Sequence, residues 1–401
     1  MSTNKGLIAL AFGGLAIGMT EFTMMGILPD IASDINIDIP TASNLIGLYA
    51  LGVVVGAPTL VAATSKYPAK KVLLFLMLLF FVFNAIFTIA PNHWSLFISR
   101  FISGLPHGAF FGIGSVVAAK LAKPGKEAQA ISIMFTGMTI ANLAGVPLGT
   151  YIGHHYSWRL TYAVIAFLGL VTFLAIYFWM PTIPANKNNN VMQQVGYFKR
   201  WDAWLMVAVI AIGTGGLFAW ISYISKLVTT VSGLAADQVS IIMILIGAGM
   251  FVGNIIGGRL ADRISPSKAA ITSFTAMACC LLILFFVSPI TALAYPMAFI
   301  TGMIAFSIGS PLQMMLIKNA KGAETFAAAA GQASFNIGNS LGAYFGAIPI
   351  AYGLTYNYPS LIGVVMAFTG AILAFVFLQK VEKKQGNTGR RFESLEELEQ
   401  A

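Results

Sequence analysis

Apolar residues run along this chain in blocks of about 20, each long enough to cross a bilayer as a helix, with short polar breaks between them. The pattern predicts twelve spans, near residues 7–29, 42–63, 72–90, 94–118, 128–152, 159–180, 203–225, 238–259, 269–288, 291–316, 325–350 and 358–379. The blocks near 94–118 and 291–316 are rich in Gly and Pro, which predicts spans that are not straight. The longest interior break, 181–200, is polar and Asn-rich and separates two sets of six. The expected fold class is an all-α integral membrane protein. Its predicted parts are a six-helix bundle over 1–180, a central loop over 181–202, a second bundle over 203–380 and a tail over 381–401.

Composition sharpens the class. Charged residues are 9% of the 401 and apolar residues 58%, against roughly a quarter charged in soluble domains. That balance excludes a soluble fold. The formal charge of +9 invites a nucleic-acid partner, but the basic residues lie in short loops and in the tail, without a basic, aromatic-laced surface. No nucleic acid is expected. Cys279 and Cys280 are adjacent, so they read as packing residues rather than a disulfide. The first apolar block contains Glu21 and is too long and too polar for a cleavable signal core, so it is expected to be retained.

The basic residues also set orientation. Of the 23 Lys and Arg, all but Arg100, Arg159 and Lys226 fall on one side of the predicted spans. The positive-inside rule places that side, with both termini, in the cytoplasm. An even number of spans satisfies the same condition.

The two halves echo each other. Residues 67–71 (Tyr-Pro-Ala-Lys-Lys) follow the second span as residues 258–263 (Gly-Arg-Leu-Ala-Asp-Arg) follow the eighth. Asn142-Leu-Ala-Gly145 in the fifth span has a counterpart in Asn336-Ile-Gly-Asn339-Ser-Leu-Gly342 in the eleventh. Internal symmetry of this kind points to a two-bundle transporter with its site between the repeats.

Three residues carry candidate chemistry inside the spans, where ionisable groups usually mark ion paths. Glu21 either takes up and releases protons or rests as a neutral, hydrogen-bonded acid. Arg100 cannot give up its proton. It either tunes a carrier, with Glu21, carbonyls freed near Pro106 or the substrate as partner, or clamps carbonyls structurally. His107 lies seven residues from Arg100, on the same helical face. It either relays protons or makes a plain interhelical hydrogen bond. No site for bond-making chemistry stands out, and no phosphate loop is present, so an enzyme is not expected. His154 and His155 are adjacent on a short loop, a poor metal site, and are expected to be solvated.

These stretches resemble the major facilitator superfamily, specifically its twelve-span drug:proton antiporter branch. Residues 18–32 are similar to the opening signature of that branch, and Arg100 to Gly108 to its fourth-span motif, whose arginine is associated with proton coupling. Gly137 to Gly149, with Gly145 and Pro147, resembles the fifth-span antiporter motif, and Gly258 to Arg263 the cytoplasmic loop motif. Within the branch the likeness is to arabinose-efflux-type and chloramphenicol-efflux-type permeases, partly through residues 106–111. At the loop after the second span the family's acidic residue and glycine are replaced by Ser65 and Pro68. The expected cytoplasmic latch therefore rests on Asp262.

The resemblance implies a proton-coupled exporter of a small organic molecule (a drug, sugar or related metabolite) in a bacterial inner membrane. It implies a protein working by alternating access as a monomer, with no cofactor beyond the proton gradient. A proton-coupled importer of sugars or nucleosides, or a non-transporting receptor, are the alternatives. Glu21, Arg100 and His107 are the expected proton-coupling set. Phe22, Met25, Tyr49, Phe110, Phe111, Asn142, Trp220, Tyr223, Gln313, Gln332 and Asn336 are the substrate-contact candidates. Gly145, Pro147, Gly149, Gly258, Asp262 and Arg263 are the expected gating residues.

Overall fold

A computed structural model describes residues 2–183 and 196–382. Residues 184–195 of the predicted central loop and 383–401 of the predicted tail lie outside the described residues. Among the described residues every regular element is a helix. In chain order the long ones are α1 (Ser2–Asp34), α2 (Ile39–Thr64), α3 (Ala69–Ile89), α4 (His93–Leu121), α5 (Glu127–His155), α6 (Trp158–Trp179), α7 (Trp201–Val231), α8 (Val239–Ile264), α9 (Pro266–Val287), α10 (Thr291–Asn319), α11 (Glu324–Ala351) and α12 (Tyr358–Phe377).

Eleven of these are long and apolar enough to cross a membrane. The exception is α11, whose apolar block was predicted as a span like the rest. It packs along α7, α4 and α2, so Gln332, Ser334 and Asn336 are buried within protein and need not be apolar.

The expected irregularities are only half met. Despite Pro106, α4 stays helical from end to end, starting at a capping box between Asn92 and Ser95. By contrast α10 breaks after Phe306 and resumes at Gly309. Two further departures occur, one in α5 beside Pro147 and one in α7. α5 widens into a π turn at Ala141–Gly145, and α7 does so at Leu227–Val231. The first has a local cause. Pro147 lacks the N–H that would bond the Leu143 carbonyl, and the turn before it shifts register, with Val146 N–H donating to Ala141 O.

Two buried apolar cores form, one dominated by α1–α6 and the other by α7–α12. They meet through α5 against α8, and through α4 and α2 against α11. Small residues make this contact close. A methyl placed on Gly112 would sit 2.6 Å from the Ala329 Cβ, and one on Gly247 would sit 2.9 Å from the Leu143 Cα. Within the first core, α1 and α5 approach so tightly that a methyl on Gly137 would land on the Ala11 carbonyl.

At the end opposite the basic loops, acidic residues of α1 are paired rather than bare. Asp34 accepts from Trp158 Nε1 (3.0 Å) and from Arg159, and Asp30 pairs with His154 Nδ1 at 2.8 Å. His154 is thus tied to α1 rather than simply solvated. His155 stacks on Tyr151 with ring centroids 4.1 Å apart.

Candidate functional site

Burying a guanidinium requires that its donors be satisfied, and α4 brings Arg100 to groups from three other helices. Its Nη1 donates to Thr20 Oγ1 (2.9 Å), Nη2 to Thr20 O (2.8 Å) and Nε to Leu45 O (3.3 Å). Its guanidinium carbon lies over the Tyr49 ring, 4.2 Å from the centroid, and 5.8 Å from the centroid of Tyr162. Cation–π contact of this kind is favourable when the pair is desolvated. Thr20 passes the connection on, donating to Asn84 Oδ1 at 2.9 Å, while Asn84 Nδ2 bonds Phe80 O.

The partners expected for Arg100 are therefore not the ones found. Among the described residues no carboxylate lies within ion-pair distance of it. Neither Glu21 nor the carbonyls near Pro106 take its hydrogen bonds. It is 1% exposed, locked behind the site rather than offered to a substrate. Its link to His107 runs through one side chain: Tyr49 holds the guanidinium with its ring and meets His107 Nδ1 with its hydroxyl at 3.1 Å.

Between the halves lies a cavity of about 70 Å³, room for only a handful of waters at roughly 15 Å³ each. Glu21 and His107 enter it from the first half. From the second half come Gln313, Gln332 and Asn336, with Thr214 beside them. Phe135, Phe306 and Phe335 supply apolar walls. Its lining, apolar with a few convergent polar groups, has the composition of a small-molecule site, and at this volume the halves must part before a molecule larger than a few waters can enter.

Of the predicted substrate contacts, then, Gln313, Gln332 and Asn336 line the cavity and the remaining eight do not. Tyr49 braces Arg100 and His107. Phe111 stacks behind Phe135 with centroids 5.0 Å apart. Phe110 is fully buried against α1, while Phe22 is only partly buried and packs against the first core. Met25 is 52% exposed. Asn142 bonds the Met138 carbonyl within its own helix. Trp220 borders a separate small void between α7, α9 and α10, and Tyr223 OH is taken by Ala343 O at 2.6 Å.

Asp262 closes one end. Its two carboxylate oxygens accept from Ala128 N (2.9 Å) and Gln129 N (3.0 Å), the second and third amides of α5. A carboxylate at a helix N-terminus satisfies orphan donors and meets the positive end of the dipole. Asp262 thus sits on a helix N-terminus of the opposite half. Deeper in, Asn254 donates to Ser132 O at 2.7 Å and Ser132 Oγ donates back to Asn254 O at 2.8 Å. Gly258 lets the two helices meet: a methyl there would lie 2.7 Å from Ser132 Cβ. Arg263 stands outside this contact, exposed near Lys268.

Gly145 and Gly149 face α1 rather than the other half, against Met19 and Thr23, and Gly149 O accepts from Thr161 of α6. Thr20, Asn84, Tyr162 and Asn254 were not singled out from the sequence. Asn84 and Asn254 carried the usable signal, each being a carboxamide inside an apolar run.

The model of the Major Facilitator Superfamily matches residues 10–343. The putative transporter AraJ of Escherichia coli K12 is 41% identical over 365 residues, covering 91% of this chain and 92% of its own. The chloramphenicol resistance protein of Streptomyces lividans is 27% identical, covering 92% and 95%. Among solved structures, the E. coli fucose:proton symporter FucP superposes with a TM-score of 0.76 at 15% identity, covering 93% of this chain and 98% of that one.

Proposed function

From a chain that belongs to the major facilitator superfamily, and so is a multi-pass membrane transporter, we propose a proton-coupled exporter of a small organic molecule. It works by alternating access, its two six-helix halves moving as units about the central cavity, in a bacterial cytoplasmic membrane with both termini inside. The observation that carries the reading is Glu21 lining the same cavity as Gln313, Gln332 and Asn336. An acid that shares one small space with the substrate can bind a proton or help bind the substrate. Mutual exclusion of the two is the requirement for antiport.

The other groups take roles around Glu21. Arg100 is held on the residue before it, Thr20, and so supplies a fixed positive charge that tunes the acid. His107, lining the cavity beside it, relays the proton. Asp262 latches the basic end through the α5 N-terminus and lets go when the cavity opens inward. A membrane potential, inside negative, contributes about 2.3 kcal/mol per proton charge per 100 mV, enough to drive substantial accumulation ratios. The named activities of relatives, chloramphenicol resistance and probable sugar efflux, support export. The likeness to a fucose:proton symporter supports import as the second reading.

Inverted membrane vesicles with an acidified interior separate the two. An antiporter substrate added outside collapses the gradient, whereas a symporter substrate deepens it. Glu21→Gln is expected to abolish the response. A parent-like response from that variant, or deeper acidification from the parent, would sink the antiport reading.

A further inference from the structure

The polar groups of the cavity are strongly biased in hydrogen-bond sense. Gln313 Nε2 donates to Ala328 O at 3.2 Å and Asn336 Nδ2 donates to Gln332 O at 3.0 Å. A main-chain carbonyl can only accept, so each amide must turn its nitrogen toward the protein and its oxygen away. Thr214 likewise spends its hydroxyl proton on Ile210 O at 2.7 Å, which leaves only lone pairs. Three side chains from the second half therefore turn acceptors away from those carbonyls, each of the two amides keeping one further N–H of its own. Gln332, whose carboxamide has no partner among the described residues, offers both senses. Glu21 adds a fourth acceptor whenever it is ionised.

Charge narrows the choice further. No Lys or Arg lines the cavity, and the buried guanidinium of Arg100 is held by Thr20, Leu45 and Tyr49. An anionic substrate would meet lone pairs and a carboxylate, with His107, its Nδ1 already on the Tyr49 hydroxyl, as a counter-charge only while it carries the relayed proton, which costs desolvation with little return. A cation has one carboxylate to meet, but Arg100 stands behind it and offsets the charge.

We infer that the substrate is a neutral molecule rich in hydroxyl or N–H donors with one apolar face, its donors read by Gln313, Asn336 and Thr214 and its apolar face by the phenylalanines. The inference rests on the cavity being the transport site proposed above. It also supplies the coupling step. A substrate hydroxyl donates to ionised Glu21; protonation turns one carboxylate oxygen into a donor and takes the charge from the other, which weakens that bond and favours release of the substrate.

Four probes of one skeleton test this on the purified full-length protein in detergent, by ligand-induced shift of the melting temperature. They are phenyl β-glucoside, its tetra-O-methyl ether, phenyl glucuronide and the 6-amino-6-deoxy analogue. The glucoside is expected to bind. The ether, which keeps the acceptor oxygens, loses every donor and adds four methyl groups, and the glucuronide should each need at least about tenfold more ligand. The amine should not exceed the glucoside. Asn336→Leu should bring the glucoside-to-ether ratio toward one, with its unliganded melting temperature as the check on folding. No shift by the glucoside, equal binding of the ether, or tighter binding of the glucuronide or the amine overturns the inference. Because binding is read without proton flux, the two readings fail separately. Donor-selective binding without gradient collapse rejects antiport alone, and gradient collapse driven by the glucuronide rejects the donor-rich substrate alone.

Discussion

Tyr49 is the residue on which the polar interior of the first half turns. Its ring carries the Arg100 charge and its hydroxyl meets His107, so one substitution divides the two functions. Tyr49→Phe keeps the cation–π face and removes the contact with His107. It should lower the rate of proton-coupled transport severalfold while leaving the melting temperature within about 1–2 °C of the parent. Tyr49→Leu removes both and should destabilise the protein by about 2–3 kcal/mol, read from thermal unfolding in detergent. Arg100→Lys tests the fork itself. An ammonium cannot donate simultaneously along the same plane to Thr20 and Leu45, and transport should fall at least tenfold with the protein still folded. At this scale the sequence announced the expensive groups but not their company. Arg100, Glu21 and His107 stand out because charge in an apolar run is rare. Thr20, Tyr49 and Asn84 belong to three different helices, and no local pattern brings them together. The aromatic candidates fared worst because helices apolar all round hide which face looks inward. Gln313, Gln332 and Asn336 were legible for the opposite reason, since a carboxamide in such a run needs a protein-lined face.

Among the elements, α5 carries the largest share of constraint. Its glycines press against α1, its N-terminus takes Asp262, and its π turn sits where α8 crosses at Gly247. Gly137→Ala would drive a methyl into the Ala11 carbonyl and should prevent accumulation of folded protein, measured as monodisperse yield after solubilisation. Gly145→Ala meets the flexible end of Met19 instead, and should be tolerated at a cost of about 1 kcal/mol. If the two variants behaved alike, packing against α1 would not be what these glycines serve. Helix count and spacing were readable from the apolar blocks, as was the break in α10. Pro147 marked α5 for a departure but not for its π form, which answers to that proline's missing donor in a particular register.

For the molecule as a whole, the halves are joined at the basic end by one carboxylate on two backbone amides. Charge-assisted bonds of this kind are worth roughly 1.5–3 kcal/mol each when undisturbed. Asp262→Asn keeps one acceptor and loses the charge, so a moderate shift of the conformational equilibrium toward opening at that end is expected. Asp262→Ala should shift it further. Distances between spin labels placed across the α4–α5 and α10–α11 turns would report both, and unchanged distributions in the alanine variant would remove Asp262 from the gate. The reverse latch is not symmetrical in sequence, since Ser65 stands where the resembling motif carries an acid.

The polarity of α11 bears on how the protein is made. A segment is accepted into the bilayer from the translocation channel according to its own hydrophobicity, and α11 alone among the long helices falls short on that measure. Its stability in the membrane comes from α7, α4 and α2, all synthesised before it. The order of synthesis therefore matters: the grooves that shelter Gln332 and Asn336 must exist before this segment leaves the ribosome. Grafted into a reporter protein, residues 324–351 should insert poorly, and in the full chain efficiently. The same side chains that face the cavity make the finished second half depend on the first while it is being built.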